Sequence, residues 1–422
     1  MLRHRDFALL WAGQSVSMIG DGIFTVALAL EALRLGHSAA ALSFVLAARI
    51  GPAVCLLLIG GVVVDRAPRK PTMLAGDICR GIAVGLIAVV AATGAARLWQ
   101  LVVMAVIFGV ADAFFSPAST AIVPELLPAD LLVQGSSIAA SSKQACQRLI
   151  GPALGGFLIA AVGNGAAFGA DAASFAVGVA CLLAVPSGGR PAAGQARPSM
   201  LAQAREGLRY CASRRWLWLA ISSHGFINLV AVAPLSVLVP LLIEQDMRQS
   251  GAVLGLVLAA GGVGGLAGAI LAGRARVPRR RVTATWVAGG AAGAATAALA
   301  AAASPWYAAA FFALIWACAT YGNALWMPIL QEGVPREMLG RASSIEWIFS
   351  FAGSPLGIIG AGLLVARVGV RPAMLGEGIL AALATLGVMV PGVRDPELAE
   401  PELAQLAPQA GPPAPGRTIS RS

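Results

Sequence analysis

Twelve runs of predominantly apolar residues follow one another along this 422-residue chain. Each holds about 20 residues or more, enough at roughly 1.5 Å per residue to cross a hydrocarbon layer about 30 Å thick. They cover 7–33, 38–64, 73–93, 98–118, 137–162, 165–186, 216–243, 250–273, 282–303, 305–330, 341–366 and 371–392. With 58% hydrophobic residues, 12% charged and a mean hydropathy of +0.79, the chain carries more apolar surface than a soluble fold of this length can hide. In lipid every peptide group must find its partner inside the protein, which leaves helices or a closed barrel. Barrel strands are short and alternate in polarity. These runs are unbroken and hold many of the chain's 50 glycines, so the sequence predicts an all-α membrane protein of close-packed helices.

The net charge of +10 invites a nucleic-acid reading, so its placement decides. Of the 30 Lys and Arg residues, 21 fall on the side shared by both termini and five on the other (Arg34, Arg97, Arg248, Arg367, Arg371). Four more, Arg49, Arg80, Lys143 and Arg148, lie within spans. This positive-inside distribution predicts a multi-pass protein of the inner cell membrane with both termini in the cytoplasm. It leaves no aromatic-interleaved basic groove for nucleic acid. The first run is too long for a cleaved leader and lacks a small-residue cleavage site, so it is expected to remain as the first helix. Six cysteines are scattered singly without a CxxC pair, beside three histidines, which argues against disulfides, zinc and haem. No cofactor is expected, and the chain is read as a monomer in the bilayer.

The runs divide six and six. Between Pro186 and Trp216 the chain turns polar and basic, giving an N-terminal six-helix bundle over 1–186, a cytoplasmic linker over 187–215, a C-terminal bundle over 216–392 and a disordered cytoplasmic tail over 393–422. The halves are alike in sequence. Pro128-Ala-Asp-Leu-Leu-Val-Gln-Gly-Ser-Ser-Ile138 aligns with Pro335-Arg-Glu-Met-Leu-Gly-Arg-Ala-Ser-Ser-Ile345, each preceding the fifth span of its half. A parallel six-helix repeat of this kind is a transporter architecture.

Between the second and third runs lies Gly60-Gly61-Val62-Val63-Val64-Asp65-Arg66-Ala67-Pro68-Arg69-Lys70-Pro71. Gly61, Asp65, Arg66, Arg69 and Lys70 resemble the G-x-x-x-D-R-x-x-R-R/K loop of major facilitator superfamily transporters in spacing and place. The resemblance implies twelve helices in two pseudo-symmetric bundles. It also implies a cytoplasmic gate in which Asp65 meets the N-terminus of the eleventh helix near Arg341 while the bases tie neighbouring helices. The second-half counterpart has Gly273 in place of the acid. In the fifth run, Gly151-Pro152-Ala153-Leu154-Gly155-Gly156 resembles the GPxxGG packing element of the drug:proton antiporter branches. Phe7-Ala-Leu-Leu-Trp-Ala-Gly-Gln14 and Phe115-Ser-Pro-Ala118 are similar to the macrolide and siderophore exporter branch.

Ionisable groups deep in a membrane cost about 2.5–3.5 kcal/mol even on the lenient insertion scale, so each asks for a partner or a watery cavity. Asp21 and Asp112 are the proton-coupling candidates, with Arg49 and Arg148 as buried charge partners, Arg148 being expected on Asp112. Gln14, Ser17, Asp21 and Thr25 share one helical face and are expected to line the substrate cavity, as are Gln144, His224 and Asn228. Asp171 and Glu377 are expected at the periphery in structural roles.

No GxxxxGK[ST] loop and no HExxH or GxSxG constellation occurs, which argues against an ATP-driven machine or a hydrolase. The Gly262-Val263-Gly264-Gly265 string lies inside a span and reads as helix packing, not as a dinucleotide fingerprint. The resemblance implies secondary active export of a small amphipathic compound in exchange for protons. Alternatives are an importer or lipid transporter of the same fold, or a non-transporting membrane sensor.

Overall fold

The computed structural model describes residues 4–186, 200–275, 278 and 280–386, excluding the side chains of 57–66 and 200–203. Among these residues it is helical throughout. The first six helices are α1 (Arg5–Gly36), α2 (Ala39–Arg66), α3 (Arg69–Ala92), α4 (Leu98–Leu126), α5 (Ala129–Val162) and α6 (Asn164–Ala184). After α7 (Met200–Ser213) come α8 (Arg215–Asp246), α9 (Gly251–Arg274), α10 (Arg281–Leu299), α11 (Pro305–Gly333), α12 (Arg336–Val368) and α13 (Val370–Ala384). Among the described residues eleven helices are long and apolar enough to cross a membrane; the described part of α13 is 15 residues long, and the expected end of the twelfth run at 392 lies outside them. The fifth and eleventh crossings begin earlier than their apolar runs, because each opens with an amphipathic turn. The expected tail over 393–422 also lies outside the described residues.

The expected linker contains a helix. α7 presents Cys211 and Gly207 to the second bundle, where Gly207 packs on Arg341. Arg341 donates to Glu206 Oε1 at 2.5 Å, and its expected neighbour Asp65 lies outside the described side chains. Of the expected gate, Gly61, Asp65 and Arg66 lie outside the described side chains. Arg69 donates to Ala121 O at 2.8 Å and pairs with Glu125 of α4. Lys70 donates to the Leu183 and Val185 carbonyls at the end of α6.

Proline shapes three of the crossings. At Pro152 the missing N–H leaves the Arg148 carbonyl without its helical donor, and the chain widens into a π turn over Cys146–Ile150. A second π turn, Asn228–Val232, precedes Pro234 in α8, with Ala233 N donating to Asn228 O at 3.0 Å. In α12 the helix breaks at Gly353, two residues before Pro355.

The bundles meet at the end of the molecule away from the termini. There two apolar cores run across both halves: Leu42 and Ala39 of α2 share one with Ile358 and Ala361 of α12, and Val26 and Leu30 of α1 share the other with Leu254 and Val257 of α9. At the opposite end the cores are separate, Leu10, Met73 and Ile122 in the first half and Leu217, Trp286 and Trp326 in the second. The closest approach is α5 on α9. A Cβ on Gly156 would stand 2.7 Å from Gly251 O and 2.9 Å from Gly255 Cα. Gly156→Val is therefore expected to lower stability by about 1–3 kcal/mol, as overpacking does. Gly169→Val, where a Cβ meets nothing within 4 Å, is expected to change little, and thermal unfolding of the two purified variants is the measurement.

Candidate functional site

Six ionisable side chains converge inside the first bundle. Arg80 of α3 is 2% exposed and holds Asp77, one turn before it, at 2.5 Å. Its other terminal nitrogen lies 3.6 Å from Asp112 of α4. The guanidinium also rests on rings, 4.1 Å from the Phe115 centroid and 4.8 Å from that of Phe175, contacts that favour a cation where water is excluded. Arg49 of α2 lies over Phe108 and Phe24 at 4.8 and 5.0 Å, two rings stacked 4.7 Å apart. Asp21 of α1 feels Arg80, Arg49, Asp112 and Asp77, and its Oδ1 is buried without a hydrogen-bond partner. Asp171 of α6 is fully buried, and its Oδ2 is likewise unpartnered.

The set holds four carboxylates and two guanidinium groups. Access is uneven: the Asp112 side chain is 47% exposed, whereas those of Asp77 and Arg80 are 5% and 3% exposed. One carboxylate is thus half-exposed and shares an arginine with a buried one.

These positions correct several expectations. Asp112 faces Arg80 and not Arg148, because the side of α4 that carries it packs on α3. Asp171 is not peripheral: its side of α6 packs on α1, where a Cβ on Gly20 would strike Ser174 and Asp171. Glu377 of α13 is also buried, 6% exposed. The stripe on α1 does not line the main cavity. Ser17 is buried and donates to Ser174 O at 3.3 Å, and Thr25 donates to Asp21 O in its own helix at 2.8 Å. Gln14 borders a minor cleft with Trp11 and Ser142, and Gln144 packs at Gly265 of α9. Asp77 and Arg80 were not singled out by depth; their spacing of three, which puts opposite charges on one helical face, was the available signal.

The main cavity, about 230 Å³, lies in the second bundle. His224 and Asn228 line it as expected from their polarity, joined by Thr296, Asn323 and the indoles of Trp286, Trp316 and Trp326. His224 Nδ1 is 3.9 Å from Glu346 of α12. Arg148 reaches the cavity from α5, its guanidinium 4.1 Å from the Trp316 ring centroid. Outside the cavity, Glu31 is fully buried at the far end of α1, accepting from Arg34 at 2.9 and 2.5 Å and from Asn164 at 2.6 Å.

Two pseudo-symmetric six-helix bundles, joined through their second and eleventh and their fifth and eighth crossings, define a major facilitator transporter. A family model described as transmembrane secretion effectors, within that superfamily, matches residues 1–413, and the chain belongs to this family. It is similar to macrolide efflux protein A of Streptococcus pyogenes, 24% identical across 89% of this chain and 93% of that one. It is also similar to the multidrug efflux pump Tap of Mycolicibacterium fortuitum, 27% identical across 93% and 96%. Among solved structures, a bacterial homologue of the iron transporter ferroportin in an inward-facing state superposes with a TM-score of 0.68 at 18% identity, over 92% of this chain and 98% of that one. The likeness to macrolide and multidrug exporters fits the resemblance of the sequence strings.

The buried ion pair has a testable energetic signature. Removing one partner of such a pair costs about 3–5 kcal/mol, whereas replacing both by apolar groups is often close to neutral. Arg80→Met is expected to destabilise the purified chain by that order, and Arg80→Met with Asp77→Leu to recover most of the loss in thermal unfolding.

Proposed function

We propose that this chain is a proton-coupled exporter of small amphipathic compounds, working by alternating access as a monomer in the cytoplasmic membrane with both termini inside. The observation that carries this reading is the charge cluster of the first bundle. Four carboxylates against two arginines leave an excess of two negative charges when all are ionised, at a depth where unpaired charge is costly. Binding protons relieves the excess, and Asp112 supplies the entrance: a proton taken there loosens its hold on Arg80 and passes the charge imbalance to Asp77 and Asp21. The relatives' names support export, and the 21-to-5 basic asymmetry supports the orientation. In that orientation the shared apolar cores close the periplasmic end and the separate cores leave the cytoplasmic side free to admit substrate. The domain limits proposed with this reading are 186, 215 and 392.

Everted membrane vesicles test the coupling. Asp112→Asn is expected to retain downhill equilibration of a transported dye while losing accumulation against a gradient and the substrate-induced collapse of an imposed pH difference. Accumulation at the unaltered rate by Asp112→Asn, Asp21→Asn and the double variant alike excludes proton coupling through this cluster. Orientation is read separately. Trp306→Cys, on the side away from the termini, is expected to react with an impermeant thiol reagent in intact cells, and Arg209→Cys only after the membrane is opened.

A further inference from the structure

We propose that the aromatic cavity of the second bundle recognises small amphipathic carboxylates, with the guanidinium of Arg148 taking the anionic group. The inference names a substrate class within the efflux reading and rests on that reading only for what happens after binding.

Arg148 is the one lining residue, among those described, that comes from the first bundle. It lies deep in the fifth crossing yet is exposed to the cavity, and no carboxylate of the described residues comes within ion-pair distance of it. Asp112, the acid expected to hold it, is engaged by Arg80. A guanidinium at this depth, resting on the Trp316 indole, is stabilised on its face but has donors left in its plane. That in-plane edge matches the two oxygens of a carboxylate. The anion that completes Arg148 is therefore a ligand's.

The remaining wall agrees. Trp286, Trp326 and Ile315 offer ring and aliphatic surface, Asn228 and Asn323 offer neutral hydrogen-bonding groups, and no acidic side chain lines the cavity among the described residues. A cationic compound finds no counter-charge in the lining itself, the nearest acid, Glu346, standing behind His224 at 3.9 Å from its Nδ1. The volume of about 230 Å³ leaves room for a one- or two-ring acid.

Backbone geometry positions the guanidinium. Arg148 sits in the π turn before Pro152, and α9 passes close enough that a Cβ on Gly262 would lie 2.7 Å from the Arg148 carbonyl carbon. Because Arg148 belongs to the other bundle, rocking of the bundles withdraws it from the cavity and with it the anion's partner.

Three isosteric probes test this on the purified full-length chain: 2-naphthoate, 2-naphthalenemethanol and 2-naphthylmethylammonium, titrated calorimetrically. Naphthoate is expected to bind on the order of tenfold more tightly than the alcohol, the size of effect about 1.4 kcal/mol produces, and the ammonium more weakly still. R148Q is expected to erase the preference and R148K to keep part of it, since lysine retains the charge without the planar fork. Equal binding of the three probes, or a preference unchanged in a folded R148Q, overturns the site; if R148Q does not fold, the three probes on the unaltered chain decide. Naphthoate bound with the expected preference but not moved by vesicles upholds the site and removes export of this class. A dye pumped normally with no charge preference in binding does the reverse.

Discussion

Pro152 withholds one hydrogen-bond donor from the middle of α5, and much of the transporter's interior follows from that loss. Within hydrocarbon each peptide group must be satisfied by the protein, so a proline is accommodated by local rewinding, not by solvent. The π turn over Cys146–Ile150 is the rewinding, and it carries Arg148, the residue whose carbonyl lost its donor, to the cavity. Two further irregularities reach the same place: the π turn before Pro234 contributes Asn228, and the break before Pro355 follows Phe351, which also lines the cavity. Wide turns are frequent at functional positions because they present side chains that a regular helix would turn elsewhere.

The crossings were legible because composition alone specifies them. The charge cluster was half legible. Depth along a helix follows from counting residues, so Asp21, Arg49 and Asp112 stood out as a set, but depth does not say which way a side chain faces. Rotation about the axis is set by packing against neighbours, and in α4 it aims Asp112 at Arg80. In α6 it aims Asp171 at Gly20 of α1, against the expectation that an outer helix carries structural residues only. The same indeterminacy misplaced Ser17, whose face of α1 is filled by α6. α7 was visible in principle, with Leu201, Ala204, Leu208 and Cys211 at helical spacing, but its basic residues drew the stretch into a linker.

Charge placement also separates setting orientation from closing the molecule. The bases on the terminal side tie α3 to α4 and α6 through Arg69 and Lys70, and α7 to α12 through Arg341. Two of the five on the opposite side are engaged as well. Arg371 pairs with Asp246 at 2.7 Å and donates to Ala300 and Ala302 carbonyls at 2.8 and 2.9 Å, and Arg34 is held by buried Glu31. Arginines there serve as staples across loop ends, where planar donors bridge carbonyls and carboxylates together.

The charge cluster lies in one bundle and the aromatic cavity in the other, so any linkage between them has to cross a packed seam. Contiguous backbone contact supplies the route. Asp21 is followed directly by Gly22, where a Cβ would stand 2.7 Å from both Gly151 Cα and Gln147 O, so α1 and α5 touch beside the π turn without intervening side chains. One residue from Gln147 is Arg148, with its guanidinium on Trp316 of the second bundle. Across the seam α5 meets α9 through Gly156 and Gly255. Close-packed backbone of this kind deforms poorly and transmits displacement, whereas flexible side chains would absorb it. Under the proposed coupling, a shift of α1 accompanying a change of charge at Asp21 is expected to reach the widened turn of α5, the least regular part of that helix, and with it the one described cavity residue that the first bundle contributes.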